Sequence, residues 1–539
     1  MRDLIAEGLA SGRWHVEDGA SLTQNLIIDT DVVIVGTGAG GGITAEILSQ
    51  AGLKVLMLEE GAFRYASRDF HLQESEAYPQ LYQESAARQT KDKGITIMQG
   101  RTVGGTTVVN WTSCFRTPHW TLEHWQSLGL KSLTVDAMAP WFAQAEQRLK
   151  VVDWQVPPNR NNSILRDGAE KVGISWSPIR RNVHGCMNLG YCGMGCAANA
   201  KQSMLVTTIP AALNLGARLI SRVRVERIRF EGGKATGVEA QALQSDGISP
   251  APWKVSVNAR AVVLSGGSIN TPAVLLRSKA DDPHGLIGKR TFLHPVPISG
   301  AVMPEQVEAW AGAPQTIYSD HFLESLPLSG PIGYKVEVPP AHPILTTTTL
   351  SGFGESHAHI MQQYPNLHVM LALLRDGFHP ESQGGQVQLR SDGSPVLDYP
   401  MTSYVWDGVK RAWLTMAELQ FAAGAKQVMP IHEHVPAQGY GTWREAKAAI
   451  ETLPLEVMRA RIVSAHVMGG CAMGADASKG WVDHHGKSFA YDGLYVIDGS
   501  VFPTSIGANP QLSIYGMSAR NAAHLAETLT GKPFAWQIA

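Results

Sequence analysis

Short apolar runs separated by longer polar stretches predict buried strands near the start of the chain. Residues 32–35 and 55–58 are uniformly apolar, as are the strands of a parallel sheet that is covered on both faces. Between these runs, Ile43, Ile47 and Leu48 recur at the spacing of one face of a helix. The pattern therefore predicts a strand, a helix and a second strand.

Similar patterns recur in the middle and at the end of the chain. Strand patterns occupy 218–230, 237–242, 261–265 and 493–498, and helical patterns occupy 121–151 and the segment from Asn509 to Leu529. Between them, residues 298–460 are richer in Pro, Tyr, Met and His, with strand-like pieces near 367–374 and 386–389 and a helix near 406–422. We expect one sheet assembled from distant pieces of the chain, together with a second region that faces a substrate.

The turn after the first predicted strand carries glycines with the spacing of a dinucleotide-binding loop. Gly36 permits a tight turn, Gly38 lets the backbone approach a phosphate, and Gly41 lets the following helix pack closely. Glu59 ends the second strand, at the distance expected of a carboxylate that binds ribose. The combination predicts a dinucleotide, either flavin or nicotinamide; an ordinary glycine-rich turn is the alternative.

Composition describes a soluble globular protein with room for two closely packed domains. The 539 residues carry a net charge of −2, with 17% charged and 44% apolar residues. This balance argues against a nucleic-acid partner, and no apolar segment is long enough to span a membrane. Glu7, Glu17 and Asp18 interrupt the region where a signal peptide needs an apolar core, so we expect a cytoplasmic protein unless another subunit carries it out.

Several motifs in order resemble the glucose–methanol–choline (GMC) oxidoreductases, which are flavoproteins. Beyond the first glycine turn, residues 100–110 and 266–272 are similar to two signatures of the family, and 464–474 with Asn509-Pro510 are similar to its catalytic C-terminal region. Residues 109–118 are most similar to the long-chain alcohol oxidase branch.

The resemblance implies an α/β protein with a Rossmann-like FAD-binding domain built from discontinuous segments and an α+β substrate domain with an antiparallel sheet. The expected FAD-binding segments are 27–110, 205–297 and 461–539. The expected substrate domain comprises 111–204 and 298–460, and 1–26 form an N-terminal extension.

The resemblance also implies that FAD oxidises the hydroxyl group of a small-molecule alcohol to an aldehyde or ketone. His466 would be the base that removes the hydroxyl proton, and Asn509 would hydrogen-bond to the substrate oxygen. The family positions near the flavin correspond here to Gly104, Gly105, Asn110, Val223 and Asp498.

A cysteine-rich loop departs from most of the family. Cys186, Cys192 and Cys196 lie in a glycine-rich segment, which can bend thiolates around one centre. Their spacing is similar to that in iron–sulfur flavin sugar dehydrogenases of the same family, which hold a three-iron cluster. Free or redox-active thiols and a zinc site are alternatives, and Cys114 and Cys471 are expected to be small apolar fillers.

The acceptor of the electrons depends on this loop. With a cluster, the resemblance implies transfer to a cytochrome and a small exported subunit that carries the enzyme to the periplasm. Without one, an alcohol oxidase that reduces oxygen to hydrogen peroxide is the alternative. A flavin lyase or decarboxylase of the same fold and a non-catalytic electron-transfer subunit are further alternatives.

Overall fold

The computed structural model describes residues 3–538, and within them the chain forms fifteen α-helices. The helices are α1 Leu4–Ala10, α2 Ala39–Gln50, α3 Ala66–Asp69, α4 Glu74–Leu81, α5 His119–Ser127, α6 Val135–Arg148, α7 Arg160–Val172, α8 Thr208–Asn214, α9 Gly267–Arg277, α10 His321–Glu324, α11 Pro343–Thr349, α12 Gly354–Gln362, α13 Ser403–Ala422, α14 Trp443–Ile450 and α15 Gln511–Thr530.

The same residues form twenty-two strands, of which several are only two or three residues long. The strands are β1 His15–Asp18, β2 Leu26–Val35, β3 Val55–Leu58, β4 Ile95–Ile97, β5 Val151–Val152, β6 Ser177–Pro178, β7 Arg181–Asn182, β8 Arg218–Ser221, β9 Val223–Glu231, β10 Lys234–Leu243, β11 Pro250–Leu264, β12 Lys289–Phe292, β13 Val296–Val302, β14 Ile317–Ser319, β15 Tyr334–Glu337, β16 Leu367–Leu374, β17 Gly385–Leu389, β18 Pro395–Asp398, β19 Gln427–Pro430, β20 Ile462–Ser464, β21 Met468–Gly469 and β22 Leu494–Val496.

The first sheet gathers strands from the beginning, middle and end of the chain. Its order is β1-β8-β3-β2-β11-β10-β9, and β22 pairs with the end of β11. Neighbouring strands are parallel along the part of the sheet formed by β1, β8, β3, β2 and β11, and β22 is parallel to β11. Strand β10 is antiparallel to both of its neighbours, β11 and β9. Val32, Val33 and Ile34 in β2 are fully buried, as predicted for a strand covered on both faces. The predicted α/β fold with a discontinuous sheet is confirmed.

The N-terminal segment contributes to this sheet instead of standing outside it. The predicted extension 1–26 contains α1 and β1, and β1 pairs in parallel with β8 at the edge of the sheet. Met1, Arg2 and Ala539 lie outside the described residues. The apolar content of β1 is too low to be noticed from sequence, because an edge strand buries only part of its surface.

A second sheet has the order β4-β20-β13-β16-β15-β14-β6, with β19 paired to β13, and is mainly antiparallel. A third sheet has the order β18-β17-β12-β21. Strands β4 and β20 belong to the second sheet although 27–110 and 461–539 were assigned to the FAD-binding domain. The proposed domain boundaries stay a prediction, and these strands cross them.

These three sheets lie around two large apolar cores and a smaller one, and β5 pairs with β7 in a separate two-stranded sheet. Helix α15 packs against α2 and α6 beside the first sheet, and α13 packs against α7 and β13 in the second region. None of the helices between residues 3 and 538 combines the length and apolar character needed to cross a bilayer.

Candidate active site

A cavity of about 730 Å³ opens where three parallel strands of the first sheet end. Val35, Leu58 and Leu264, the last residues of β2, β3 and β11, line it. Ligands of open α/β sheets bind outside the carboxyl ends of the strands. The cavity is therefore the candidate site.

Nine of the eleven residues predicted to bind the cofactor or to take part in catalysis line this one cavity. They are Gly36, Gly38, Glu59, Gly105, Asn110, Val223, His466, Asp498 and Asn509. Gly41 and Gly104 lie behind the surface. A side chain on Gly41 would collide with the carbonyl of Gly36, and Gly104 donates its N–H to Thr37 Oγ1 at 3.0 Å. The folded chain thus brings together residues that are far apart in sequence.

The glycine turn at residues 36–38 touches two other turns that line the cavity, one at Gly105 and one at Ser265 and Gly266. A Cβ on Gly105 would lie 2.7 Å from Cα of Gly38, and a Cβ on Gly36 would lie 2.5 Å from the carbonyl oxygen of Ser265. Helix α2 begins directly after Gly38 without a side-chain cap, so its first N–H groups are available to an anion. This arrangement suits a pyrophosphate.

Glu59 both lines the cavity and holds the first glycine turn. Its Oε2 accepts from the N–H and the hydroxyl of Thr37 at 3.0 and 2.7 Å, and its Oε1 accepts from Gly61 N–H at 2.8 Å. Burial raises the pKa of this carboxyl, and the hydrogen bonds from Thr37 and Gly61 oppose that rise. Val223 lies beside it and donates its N–H to the carbonyl of Glu59 at 2.9 Å.

Asp498 holds the glycine turn at residues 266–267 in the same way. Its Oδ2 accepts from Gly267 N–H at 2.8 Å and from the Thr271 hydroxyl at 2.9 Å, and its Oδ1 accepts from Ser500 N–H at 2.8 Å. Burial raises the pKa of Asp498. The carboxylate therefore fixes the start of α9 at the edge of the cavity.

Two of the buried amide oxygens that have no hydrogen-bond partner within the described residues belong to residues of the cavity wall. These are Oδ1 of Asn110 and Oδ1 of Asn509, and both residues line the cavity. A buried acceptor without a donor is costly, so each indicates a ligand that supplies one. Together with the exposed amides of the glycine turns and the carboxylate of Glu59, these acceptors fit FAD.

His466 and Asn509, the two residues predicted for catalysis, line the same cavity. Burial, with the positive charge of Lys335 as a smaller cause, lowers the pKa of His466 to about 3. The imidazole is therefore uncharged at neutral pH. Its Nδ1 lies 3.3 Å from Nδ1 of His294, which leaves Nε2 for a ligand.

Behind Asn509 lies a buried ion pair that was not predicted. Asn509 Nδ2 donates to Glu337 Oε2 at 3.1 Å, and Gln315 Nε2 donates to the same oxygen at 2.7 Å. Lys335 Nζ lies 3.7 Å from the other carboxylate oxygen and 4.3 Å from the ring centroid of Tyr318. Burial raises the pKa of Glu337 and lowers that of Lys335 to about 8. The pair orients the amide of Asn509.

The N-terminus of α15 also faces the cavity, since Pro510, Gln511 and Ile514 line it. The N-cap of this helix is Pro510, and no side chain caps its first N–H groups. The positive end of the helix dipole favours an anion at this place.

One end of the cavity is apolar. Trp111, Val296, Leu371, Leu373 and Val463 line it and belong to or pack against the third apolar core. An apolar portion of a ligand fits this end.

The cysteine-rich loop lies beside the cavity, but its thiols do not form a metal site. All five cysteines are free, and within residues 3–538 no three His, Cys, Asp or Glu side chains form a group that could hold a metal ion. Cys186, Cys192 and Cys196 therefore do not fit an iron–sulfur cluster in this conformation. Cys114 and Cys471 are buried, as expected of apolar fillers.

Two buried cations contact the cysteine-rich loop. Lys201 Nζ donates to the carbonyls of Cys192 and Asn110 at 2.7 and 2.9 Å, and Arg181 Nη2 lies 3.8 Å from Cys192 Sγ. Burial lowers the pKa of Lys201 to about 8. Lys201 thus connects the cysteine-rich loop to Asn110, which lines the cavity.

The residues missed from sequence carry little local signal. Tyr334–Glu337 alternates between apolar and charged positions, which is typical of a half-exposed strand, yet all four residues are buried. His294, which is followed by Pro295, does not belong to any of the sequence motifs described above. Thr37 was within reach of prediction, because it lies inside the glycine turn.

Two family models, both of GMC oxidoreductases, match residues 78–296 and 380–518. A GMC-type oxidoreductase of Sinorhizobium fredii is 29% identical over 94% of this chain and 96% of its own length. One of Mycobacterium tuberculosis is 31% identical over 97% of this chain and 81% of its own. A long-chain-alcohol oxidase of Arabidopsis thaliana is 26% identical over 98% of this chain and 71% of its own.

Solved structures share the fold at low sequence identity. A formate oxidase of Aspergillus oryzae, described in connection with modification of its FAD, superposes with a TM-score of 0.69 at 15% identity and covers 94% of this chain and 99% of its own. A pyridoxine 4-oxidase of Mesorbium loti superposes with a TM-score of 0.65 at 17% identity and covers 92% and 99%.

Proposed function

Because the chain belongs to the GMC oxidoreductase family, we propose that it oxidises an alcohol to an aldehyde or ketone with FAD as the oxidant. When bound, FAD accepts the hydride that leaves the carbinol carbon, and the hydroxyl group loses a proton. The observation that carries the proposal is the meeting of His466 and Asn509 in the cavity that the glycine turns form. Both side chains can hydrogen-bond to the alcohol oxygen as it gains alkoxide character.

The protein supplies binding and orientation for this reaction. Glu59, the Gly36 turn and the start of α2 would hold the nucleotide part of FAD, and Asn110 would contact its ring. The N-terminus of α15 would stabilise negative charge on the reduced flavin. The proposed substrate is an alcohol with an apolar body, because Val296, Leu371 and Leu373 line the end of the cavity. The long-chain-alcohol oxidase of Arabidopsis thaliana is a relative of matching chemistry.

Anaerobic bleaching of the flavin tests this function. The purified protein should be yellow, and an alcohol should bleach its flavin with production of the carbonyl compound. A series of primary alcohols of increasing length, with the matching alkanes as controls, should give rates that rise with chain length. A lyase, a decarboxylase or a non-catalytic subunit would leave the flavin oxidised. A colourless protein with bound nicotinamide would contradict the proposal at its first step.

We propose that the electrons taken from the alcohol would go to an external acceptor, and we assign no step to a cluster. Oxygen with hydrogen peroxide as product is one candidate, and a soluble dye can replace a protein acceptor in the assay. Iron and labile sulfide in anaerobically purified protein would restore the three-iron prediction. The exported subunit, the cytochrome and the periplasmic location depend on that cluster and stay predictions, as does a cytoplasmic location.

A further inference from the structure

His294 is a buried residue that connects the segments carrying His466 and Asn509. It lies between β12 and β13, is fully buried, and has a φ of +47°. Residues other than glycine rarely adopt this left-handed conformation. When they do, the surrounding structure must hold them there.

Asp376 holds the backbone of His294. Its carboxylate accepts from Leu293 N–H at 3.0 Å and from His294 N–H at 3.1 Å, and the Tyr399 hydroxyl donates to it at 2.7 Å. Asp376 is itself fully buried. These two hydrogen bonds hold the backbone from which the imidazole ring projects.

Both nitrogens of the His294 ring have defined partners. Gly507 donates its backbone N–H to Nε2 at 3.1 Å. Nδ1 lies 3.3 Å from Nδ1 of His466, with the two rings in an edge arrangement at 84°. A backbone N–H can only donate, so Nε2 of His294 must be without a proton.

The position of the ring proton on His294 then determines the position of the ring proton on His466. A neutral His294 with an unprotonated Nε2 carries its proton on Nδ1, and this N–H donates to Nδ1 of His466. We propose that His294 is a positioning residue that keeps the proton of His466 on Nε2, so that His466 meets the substrate oxygen as a hydrogen-bond donor. This inference rests on the proposed function for the identity of the ligand.

His466 then has the opposite role to the one that the sequence predicts for it. To act as a base, His466 would need its proton on Nδ1 and an unprotonated Nε2. His294 would then need its proton on Nε2, where it would face Gly507 N–H with two donors 3.1 Å apart. In the arrangement proposed here, His466 donates its Nε2 proton to the substrate oxygen and stabilises the negative charge that develops there, and the hydroxyl proton goes to solvent instead of to the ring.

The charges around the rings of His294 and His466 lower the pKa of both. His466 is faced by Lys335 and, at 3.3 Å, by the ring of His294, and His294 is faced by His466 and by Lys335. Burial is the main cause of the lowered pKa of each ring, and the neighbouring positive charges add to it. Both rings are therefore neutral at physiological pH, as the proton count requires.

An isosteric pair of variants tests the inference in the holoenzyme. Both Asn and Asp tolerate a positive φ. In H294N the amide nitrogen can donate to His466 Nδ1, whereas in H294D the carboxylate can only accept there. H294D should move the proton of His466 to Nδ1 and slow anaerobic flavin reduction about 10²- to 10³-fold relative to H294N, as expected for loss of one donor to an oxyanion. Its rate should also acquire an inflection in the imidazole pH range that the wild type lacks.

The nitrogen that carries the proton can be observed without substrate. In holoenzyme labelled with ¹⁵N-histidine, the resonances lost in H466Q belong to His466, and they should show a protonated Nε2 and an unprotonated Nδ1. A proton on Nδ1 in the wild type would overturn the inference, as would equal reduction rates of H294N and H294D.

The buried His368, whose Nδ1 lies 2.7 Å from Asn161 Oδ1 away from the cavity, provides the control. H368N should leave the pH profile of flavin reduction unchanged. If no alcohol bleaches the wild-type flavin, the proposed function fails, while the nitrogen resonances still report the position of the proton.

Discussion

Asn509 donates its side-chain N–H to Glu337 at 3.1 Å, and Glu337 in turn lies 3.7 Å from Lys335. The amide that is proposed to bind the substrate oxygen is therefore anchored to a buried ion pair on β15. Removal of one member of such a pair leaves the other charge buried and unpaired.

We expect E337L to lower the free energy of unfolding by about 3–5 kcal/mol, because Lys335 would lose its counter-charge in an apolar environment. Urea unfolding of the flavin-bound protein measures this. The double variant K335M/E337L should recover most of the loss, since it removes both charges. D398L breaks the exposed pair of Asp398 with Lys91 and should cost about 1 kcal/mol or less. A loss in E337L as small as that in D398L would contradict the argument.

H466A should slow flavin reduction by an alcohol about 10²- to 10⁴-fold, since a group that interacts with the reacting oxygen is lost. Stopped-flow absorbance under anaerobic conditions measures the rate, and the flavin content of the purified protein should not change. H359A, at an exposed position on α12, is the control. Equal rates in the two variants would remove His466 from the reaction.

G105A should reduce the affinity for FAD at least about tenfold. The new methyl group would lie 2.7 Å from Cα of Gly38, in the contact between the two glycine turns. The ratio of flavin to protein absorbance measures the effect. G173A is the control. Gly105 and Gly173 both have a positive φ, but nothing lies within 4 Å of a methyl group on Gly173, so G173A should lose stability and retain its flavin. Full flavin content in G105A would show that the turns can separate.

Stability toward acid should depend on His368. Burial lowers the pKa of His368 to about 3 from a usual value of 6.5, so the unfolded chain binds this proton first as the pH falls. The stabilisation by the neutral ring is fully present above pH 6.5 and is lost as the pH falls toward 3.

Between pH 6 and 4, the free energy of unfolding of the wild type should therefore fall by about 1.4 kcal/mol per pH unit more steeply than that of H368N. Urea unfolding at several pH values gives the two slopes. H359N changes a histidine that is exposed in the native fold, and its slope should match that of the wild type. Equal slopes for H368N and the wild type would contradict the lowered pKa of His368 in the folded protein.

The parts of the fold that the sequence predicts are those in which a local pattern determines the structure. Gly36 and Gly38 follow an apolar strand and form the predicted turn directly before α2, and Gly41 lies in the first turn of that helix. The strand expected near 367–374 is β16, and the helix expected near 406–422 is α13, which begins at Ser403. In each case the apolar residues that must be buried favour the same helix or strand that the local sequence favours.

The residues that were missed depend on contacts between distant segments. Lys335 and Glu337 read as solvent-exposed positions, and only their pairing with each other allows both to be buried. His294 gains its role from Gly507 and His466, which follow it by well over one hundred residues. No periodicity encodes such contacts. The cysteine-rich loop shows the opposite case, since its spacing resembles a cluster motif whereas its folded thiols do not form a metal group.

The scattered origin of the first sheet has a consequence for biosynthesis. Its strands come from β1 at residues 15–18 to β22 at 494–496, and the cavity is lined as far as Ile514. Contacts between such distant residues form late, because the loops that separate them must first be closed. During translation, the glycine turn at 36–41 leaves the ribosome long before the segments that complete its binding surface. FAD uptake must therefore follow nearly complete synthesis of the chain, and a truncated product lacking α15 should accumulate without flavin.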